Sequence, residues 1–126
     1  LVVDDSQIIR QLIKVILELD GFEVMTAADG AECLEAVAEY RPDVITLDVV
    51  MPRLDGLRTV ERLRRDPRSR DIPLVVVSAT PVSARHVGVD AVVAKPFEPA
   101  ELLRRVRQLR DHGRPGVVRL AKSLAS

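Results

Sequence analysis

Cysteine occurs once, at Cys33, and tryptophan not at all. A single thiol excludes an internal disulfide framework and a cysteine-rich zinc site. The aromatic residues are Phe22, Tyr40 and Phe97, too few to build the stacking platforms that grip single-stranded nucleic acid. Net charge is also missing: 19 basic residues balance 19 acidic ones, so the strongly basic face of a nucleic-acid binder is not indicated. No apolar run is long enough to span a membrane, and no signal-peptide pattern opens the chain. A cytoplasmic location is therefore expected. The first residue is Leu1, already strand-like and not methionine, so the natural protein is expected to begin a little upstream.

What remains is a chain of 126 residues, 47% hydrophobic and 30% charged. That suits one compact domain. Apolar runs of strand character alternate with segments of helical period. Expected strands are Leu1 to Val3, Glu23 to Ala27, Val44 to Leu47, Leu74 to Val77 and Ala91 to Ala94. After the first, Ser6 is placed to cap a helix whose stripe is Ile8, Ile9, Leu12, Ile13, Ile16 and Leu17, with Asp20-Gly21 as its stop. Asp29-Gly30 leads into a second helix carrying Leu34, Val37 and Ala38. Leu57, Val60 and Leu63 make a third stripe after the turn chemistry of Met51 to Gly56. Pro99 opens a last helix with Leu102, Leu103, Val106 and Leu109 on one side.

Five strands alternating with helices predict right-handed crossovers and a doubly wound five-stranded parallel sheet with helices on both faces. Between Ser78 and Ala91 stand Pro81, Gly88 and few large apolar residues, so the helix there is expected to be short or irregular. Residues 1–111 are read as one domain. Residues 112–126 are read as a basic linker or one extra helix built on Val117, Val118, Leu120, Ala121 and Leu124. Arg104, Arg105, Arg107 and Arg110 are read as the solvated face of the last helix.

Polar residues stand just past the strands: Asp4 and Asp5 after the first, Asp48 after the third, Ser78 after the fourth, Lys95 after the fifth. In an open parallel sheet these ends form one rim, where ligands bind. Three carboxylates close together repel unless a cation joins them. All-oxygen donors without His or Cys select a hard ion, with Mg2+ the expected cofactor. The ion, a lysine and a hydroxyl suit a phosphoryl group, with one carboxylate as nucleophile. Asp48, on a central strand between the other acids and the Ser78/Lys95 side, is the favoured one.

The runs Val2-Val3-Asp4-Asp5-Ser6, Thr46-Leu47-Asp48-Val49-Val50-Met51-Pro52, Leu54-Asp55-Gly56, Val77-Ser78-Ala79 and Lys95-Pro96-Phe97 resemble the receiver domain of bacterial two-component response regulators, the CheY-like fold. The resemblance covers Leu1 to about Asp111. It implies that Asp48 is the phosphoacceptor for a histidine kinase's phosphohistidine. It further implies that Asp4, Asp5, Asp48 and the backbone carbonyl of Val50 hold Mg2+, that Ser78 is the switch hydroxyl, and that Lys95 pairs with phosphoryl oxygens or with Asp48. A cis Lys95-Pro96 bond is expected on the same ground. Implied partners are a sensor histidine kinase or phosphotransfer protein and a downstream effector domain or protein, with homodimerisation left open. The segment itself is not expected to bind nucleic acid or membrane.

Two departures stand out. The aromatic residue the family usually carries three positions before the lysine is replaced by Val92, and the stretch from Ser78 to Lys95 is short. The expected role is a phosphorylation-driven switch and not an enzyme, with at most slow self-dephosphorylation. Val50 and Thr80, two residues after Asp48 and Ser78, flank the path of a hydrolytic water, and the apolar Val50 cannot orient it. The alternative is a receiver-like interaction module that works without phosphorylation. A magnesium-dependent aspartyl phosphatase is disfavoured, because its two aspartates stand two apart after one strand, unlike Asp4-Asp5.

Overall fold

The computed structural model describes residues 1–48, 56–79 and 88–114. Its elements alternate as β1 (Val2–Val3), α1 (Gln7–Leu19), β2 (Thr26–Ala27), α2 (Gly30–Tyr40), β3 (Ile45–Leu47), α3 (Gly56–Arg65), β4 (Leu74–Ser78), β5 (Ala91–Ala94) and α4 (Pro99–His112). All five strands are parallel, in the order β2-β1-β3-β4-β5. The doubly wound sheet expected from the alternation is present.

Period-two alternation along the strands sorts the core into two layers. Val2, Val75, Val77 and Val93 point to one face, where they pack with Ile13 and Leu17 of α1 and Leu102, Val106 and Leu109 of α4. Val3, Ile45, Leu47 and Val76 point to the other, against Cys33 and Val37 of α2 and Val60 and Leu63 of α3. Both faces are covered, so β4 is buried at all five positions.

Local chemistry starts and stops the helices as read. The Ser6 hydroxyl accepts from Ile9 N–H at 3.3 Å, and Asp29 Oδ1 accepts from Glu32 N–H at 2.9 Å, with the Glu32 carboxylate reaching back to Ala28 N–H. Gly21, at φ +92°, takes the left-handed turn after α1. Pro99 occupies the first turn of α4, and Lys95-Pro96 is cis.

Several expectations need correction. The second strand is only Thr26–Ala27, because its one neighbour, β1, offers just Val2 and Val3 for pairing. Ile8, Leu12 and Leu57 do not face the core; they are 81%, 47% and 41% exposed. The apolar stripe of α1 is wider than the arc that one sheet can cover. The arginines of α4 are not simply solvated either. Arg107 pairs with Asp20 at the end of α1, and the Arg110 guanidinium lies over the Phe22 ring, 4.7 Å from its centroid. The Nε of Arg105 is buried without a hydrogen-bond partner.

The opposite edge of the sheet is closed by one carboxylate. Asp90 Oδ2 accepts from Leu74 N–H at 2.8 Å and from Arg64 Nη2 at 3.0 Å, and Arg114 Nε donates to the same carboxylate. Arg64 also donates to the carbonyls of Gly88, Ser69, Arg70 and Ile72. The irregular helix expected between Ser78 and Ala91, and the turn from Met51, fall mainly on 80–87 and 51–55, outside the described residues. So do Val50, Thr80 and the tail from 115 to 126.

Candidate functional site

Register builds the site. Val3 pairs with Leu47 across β1 and β3, so the next residues, Asp4 and Asp48, emerge side by side at the carboxyl edge. Backbone bonds continue the ladder to them: Asp48 N–H donates to Val3 O at 3.0 Å and Asp4 N–H to Ala27 O at 3.2 Å. Ser78 ends β4 in register with Ala94, and Lys95 N–H donates to Ser78 O at 2.9 Å. The five residues singled out in the sequence therefore share one rim.

Lys95 starts furthest away. Strand β4 separates β5 from β3, a gap of roughly 10 Å at the usual strand spacing, and only a long side chain crosses it. The Lys95 ammonium does so, donating to Asp4 Oδ2 at 2.9 Å and to Asp48 Oδ2 at 3.2 Å. The three side chains are 16%, 1% and 9% exposed. Burial penalises the lysine's charge, but the hydrogen bond and charge of Asp4, and then Asp48, outweigh it, holding Lys95 above its ordinary pKa.

Asp4 is fixed on both oxygens, since its Oδ1 accepts from Ser6 N–H at 2.9 Å. The residue that caps α1 thus also orients an acid of the site. Asp5 is exposed, yet its carboxylate joins those of Asp4 and Asp48 in a group whose ligand atoms all lie within 4.8 Å of one another. One lysine against three carboxylates leaves negative charge uncompensated. An all-oxygen donor set of this size fits a hard divalent cation. The Ser78 hydroxyl is buried at the same rim.

Arg10 was not read from the sequence as part of this region. Its Nη1 donates to the Asp4 carbonyl at 2.8 Å, tying α1 to the turn that carries both acids. The available signal was a cation interrupting the apolar first turns of α1. Val92 is partly buried and packs on the α2/α3 side of the sheet, where its small side chain contributes to the core. Among the described residues, no helix is long and apolar enough to cross a membrane.

Comparison with known proteins agrees with this arrangement. The family model described as response regulator receiver domain matches residues 1–107. The response regulator MprA of Mycobacterium leprae (strain TN) is 42% identical over 120 residues, covering 91% of this chain and 52% of that protein. The DNA-binding dual master transcriptional regulator RpaA of Synechocystis is 36% identical over 114 residues, covering 86% of this chain and 47% of the relative. The chain thus spans about half the length of the curated relatives it matches. The chemotaxis response regulator CheY4 of Vibrio cholerae superposes with a TM-score of 0.78 at 34% identity, covering 86% of this chain and 94% of that one. With the strand order, the acidic rim and these matches in agreement, the chain belongs to the response regulator receiver domain family, the phosphoacceptor module of two-component signalling.

Proposed function

We propose that Asp48 is the phosphoacceptor of this chain. The observation that carries the reading is the Lys95 ammonium shared between Asp4 and Asp48, which leaves Asp48 a carboxylate with a cation already beside it. A carboxylate oxygen of Asp48 attacks the phosphorus of a phosphohistidine; the P–O bond forms as the P–N bond breaks, and the electron pair leaves with the imidazole. Asp4, Asp5 and Asp48, with the Val50 carbonyl that the family resemblance adds, would hold Mg2+, and the ion would supply positive charge to offset that of the phosphoryl oxygens. Lys95 exchanges its bond to Asp48 for a phosphoryl oxygen, and the Ser78 hydroxyl donates to another.

The outcome is a switch and not a turnover enzyme. The phosphoryl group arrives from a histidine kinase or phosphotransfer protein, and the changed surface is read by an effector domain or protein. The receiver unit, in the cytoplasm, runs from residue 1 past the expected end at 111 to Arg114, which bonds to Asp90, with the residues after it as linker or added helix. Val50, with no polar group to orient water, makes hydrolysis slow. A Val50→Asn variant that loses phosphoryl no faster than the parent removes that last reading.

The central test is intact mass after incubation with Mg2+ and acetyl phosphate. One phosphoryl group is expected on the parent and none on Asp48→Asn. A folded parent that takes up nothing, or a variant that takes up as much, overturns the assignment. The first of these results favours an interaction module that works unphosphorylated.

A further inference from the structure

Asp5 stands where electrostatics alone would not put it. It is exposed, and Lys95 bonds to Asp4 and Asp48 but not to it. Its carboxylate nonetheless joins theirs in one group, with ligand atoms within 4.8 Å of one another. Repulsion from two like charges favours turning an exposed side chain outward, so the backbone has to aim it.

Both peptide planes that flank Asp5 are pinned. The Asp4 carbonyl belongs to the plane that enters Asp5, and it accepts from Arg10 Nη1 at 2.8 Å. The Ser6 N–H belongs to the plane that leaves, and it donates to Asp4 Oδ1 at 2.9 Å. Peptide units are rigid. Holding the two planes therefore sets φ and ψ of Asp5, and with them the direction in which its side chain leaves the chain.

The two ties differ in reach. The Ser6 bond is an Asx turn, local to the loop. The Arg10 bond comes from α1. The Arg10 backbone N–H donates to Ser6 O at 2.9 Å in the first helical turn, and its side chain runs back past that turn to Asp4. The helix dipole opposes a cation drawn towards the start of α1. Arg10 is half-buried there, held by the Asp4 carbonyl.

We propose that Arg10 is a positioning residue that aims the Asp5 carboxylate into the divalent-cation site. This role rests on the reading that Asp4, Asp5 and Asp48 hold Mg2+. Arg10 acts through the Asp4–Asp5 peptide and not by contact with the ion. Charge and positioning then predict opposite signs. As a nearby cation, Arg10 repels Mg2+, so its removal would tighten binding. As a positioning group, its removal lets Asp5 turn to solvent and weakens binding. Losing a group that orients a metal ligand costs about 10–100-fold in affinity; the Ser6 tie remains, so the low end applies.

An NMR titration of the 126-residue chain with Mg2+, followed by amide shifts, gives the dissociation constant without any phosphoryl transfer. Arg10→Met keeps an aliphatic stem without a donor and should bind Mg2+ about tenfold more weakly than the parent. Arg10→Lys keeps a donor and the charge and should stay within about threefold of the parent. Asp5→Asn should weaken binding by itself. Adding Arg10→Met to it should cost less than about twofold more, because no carboxylate is left to aim. Urea unfolding in EDTA checks that every variant is folded under the titration conditions.

A double variant whose two losses multiply overturns the proposal, since a general loosening of the turn would act on all three acids. So does an Arg10→Met variant that binds as tightly as the parent or tighter, or an Arg10→Lys variant no better than Arg10→Met. In these cases a parent that binds Mg2+ through Asp5 keeps the metal reading and loses only the role of Arg10. A parent with no saturable shift overturns both.

Discussion

Replacing Asp5 by Asn should stabilise the metal-free protein. The Asp5 carboxylate lies within 4.8 Å of those of Asp4 and Asp48, and Lys95 bonds to the latter two but not to Asp5. Two unit charges at that separation repel by about 3.5 kcal/mol at an effective dielectric of 20 and by about 0.9 kcal/mol in water. Asp5 is exposed, so the lower value applies, and two neighbours together cost about 2 kcal/mol. The attraction of nearby Lys95 returns about 1 kcal/mol of this. Asp5 also precedes the start of α1, where a negative charge is favourable by about 0.3–1 kcal/mol. The net gain on Asp5→Asn is therefore between about 0 and 0.7 kcal/mol, the upper end corresponding to a weak dipole effect.

Urea unfolding in EDTA at low salt measures this gain, and it should shrink in ~1 M salt, where the Debye length is about 3 Å. Adding Mg2+ should reverse the order, because an ion bound only by the folded state stabilises the tighter binder more. The parent, with all three carboxylates, would then be the more stable protein. If Asp5→Asn is destabilised in EDTA, or if Mg2+ shifts parent and variant equally, the carboxylates are not an electrostatic unit and the reasoning fails.

Two further perturbations test other parts of the fold. A Cβ at Gly30 would run into the Thr59 hydroxyl where α2 meets α3. Gly30→Ala should therefore cost about 1–3 kcal/mol by overpacking, while Gly30→Ala with Thr59→Ala should recover most of it; additive losses in chemical denaturation would show that the close approach is not the cause. The buried Cys33 thiol is pushed up to about 12 by desolvation, against 9.0 ordinarily. The unfolded thiol ionises first, so its contribution is complete below pH 9 and is lost as pH rises towards 12. Between pH 8 and 10.5 the parent should lose about 2 kcal/mol more than Cys33→Ala; parallel pH profiles would refute the burial argument.

Much of the site was legible because a parallel sheet converts sequence position into spatial position. Each of Asp4, Asp48, Ser78 and Lys95 directly follows an apolar strand, and strands that run the same way bring their ends to one rim. Helix starts were equally readable, since Ser6 and Asp29 act on their own next turn. These are local rules, and the sequence by itself determined their outcome.

Contacts that join distant segments were decided by the tertiary structure. That Lys95 bridges Asp4 and Asp48 depends on a strand order in which β4 lies between β3 and β5. That Arg10 reaches the Asp4 carbonyl depends on how α1 sits on the sheet. The same docking angle left Ile8, Leu12, Val15 and Leu19 outside, although the periodicity of Ile8 and Leu12 equals that of buried residues. Hydrophobic spacing specifies that a face will be buried, but only packing specifies which arc of a wide stripe meets the core and which is left for another surface.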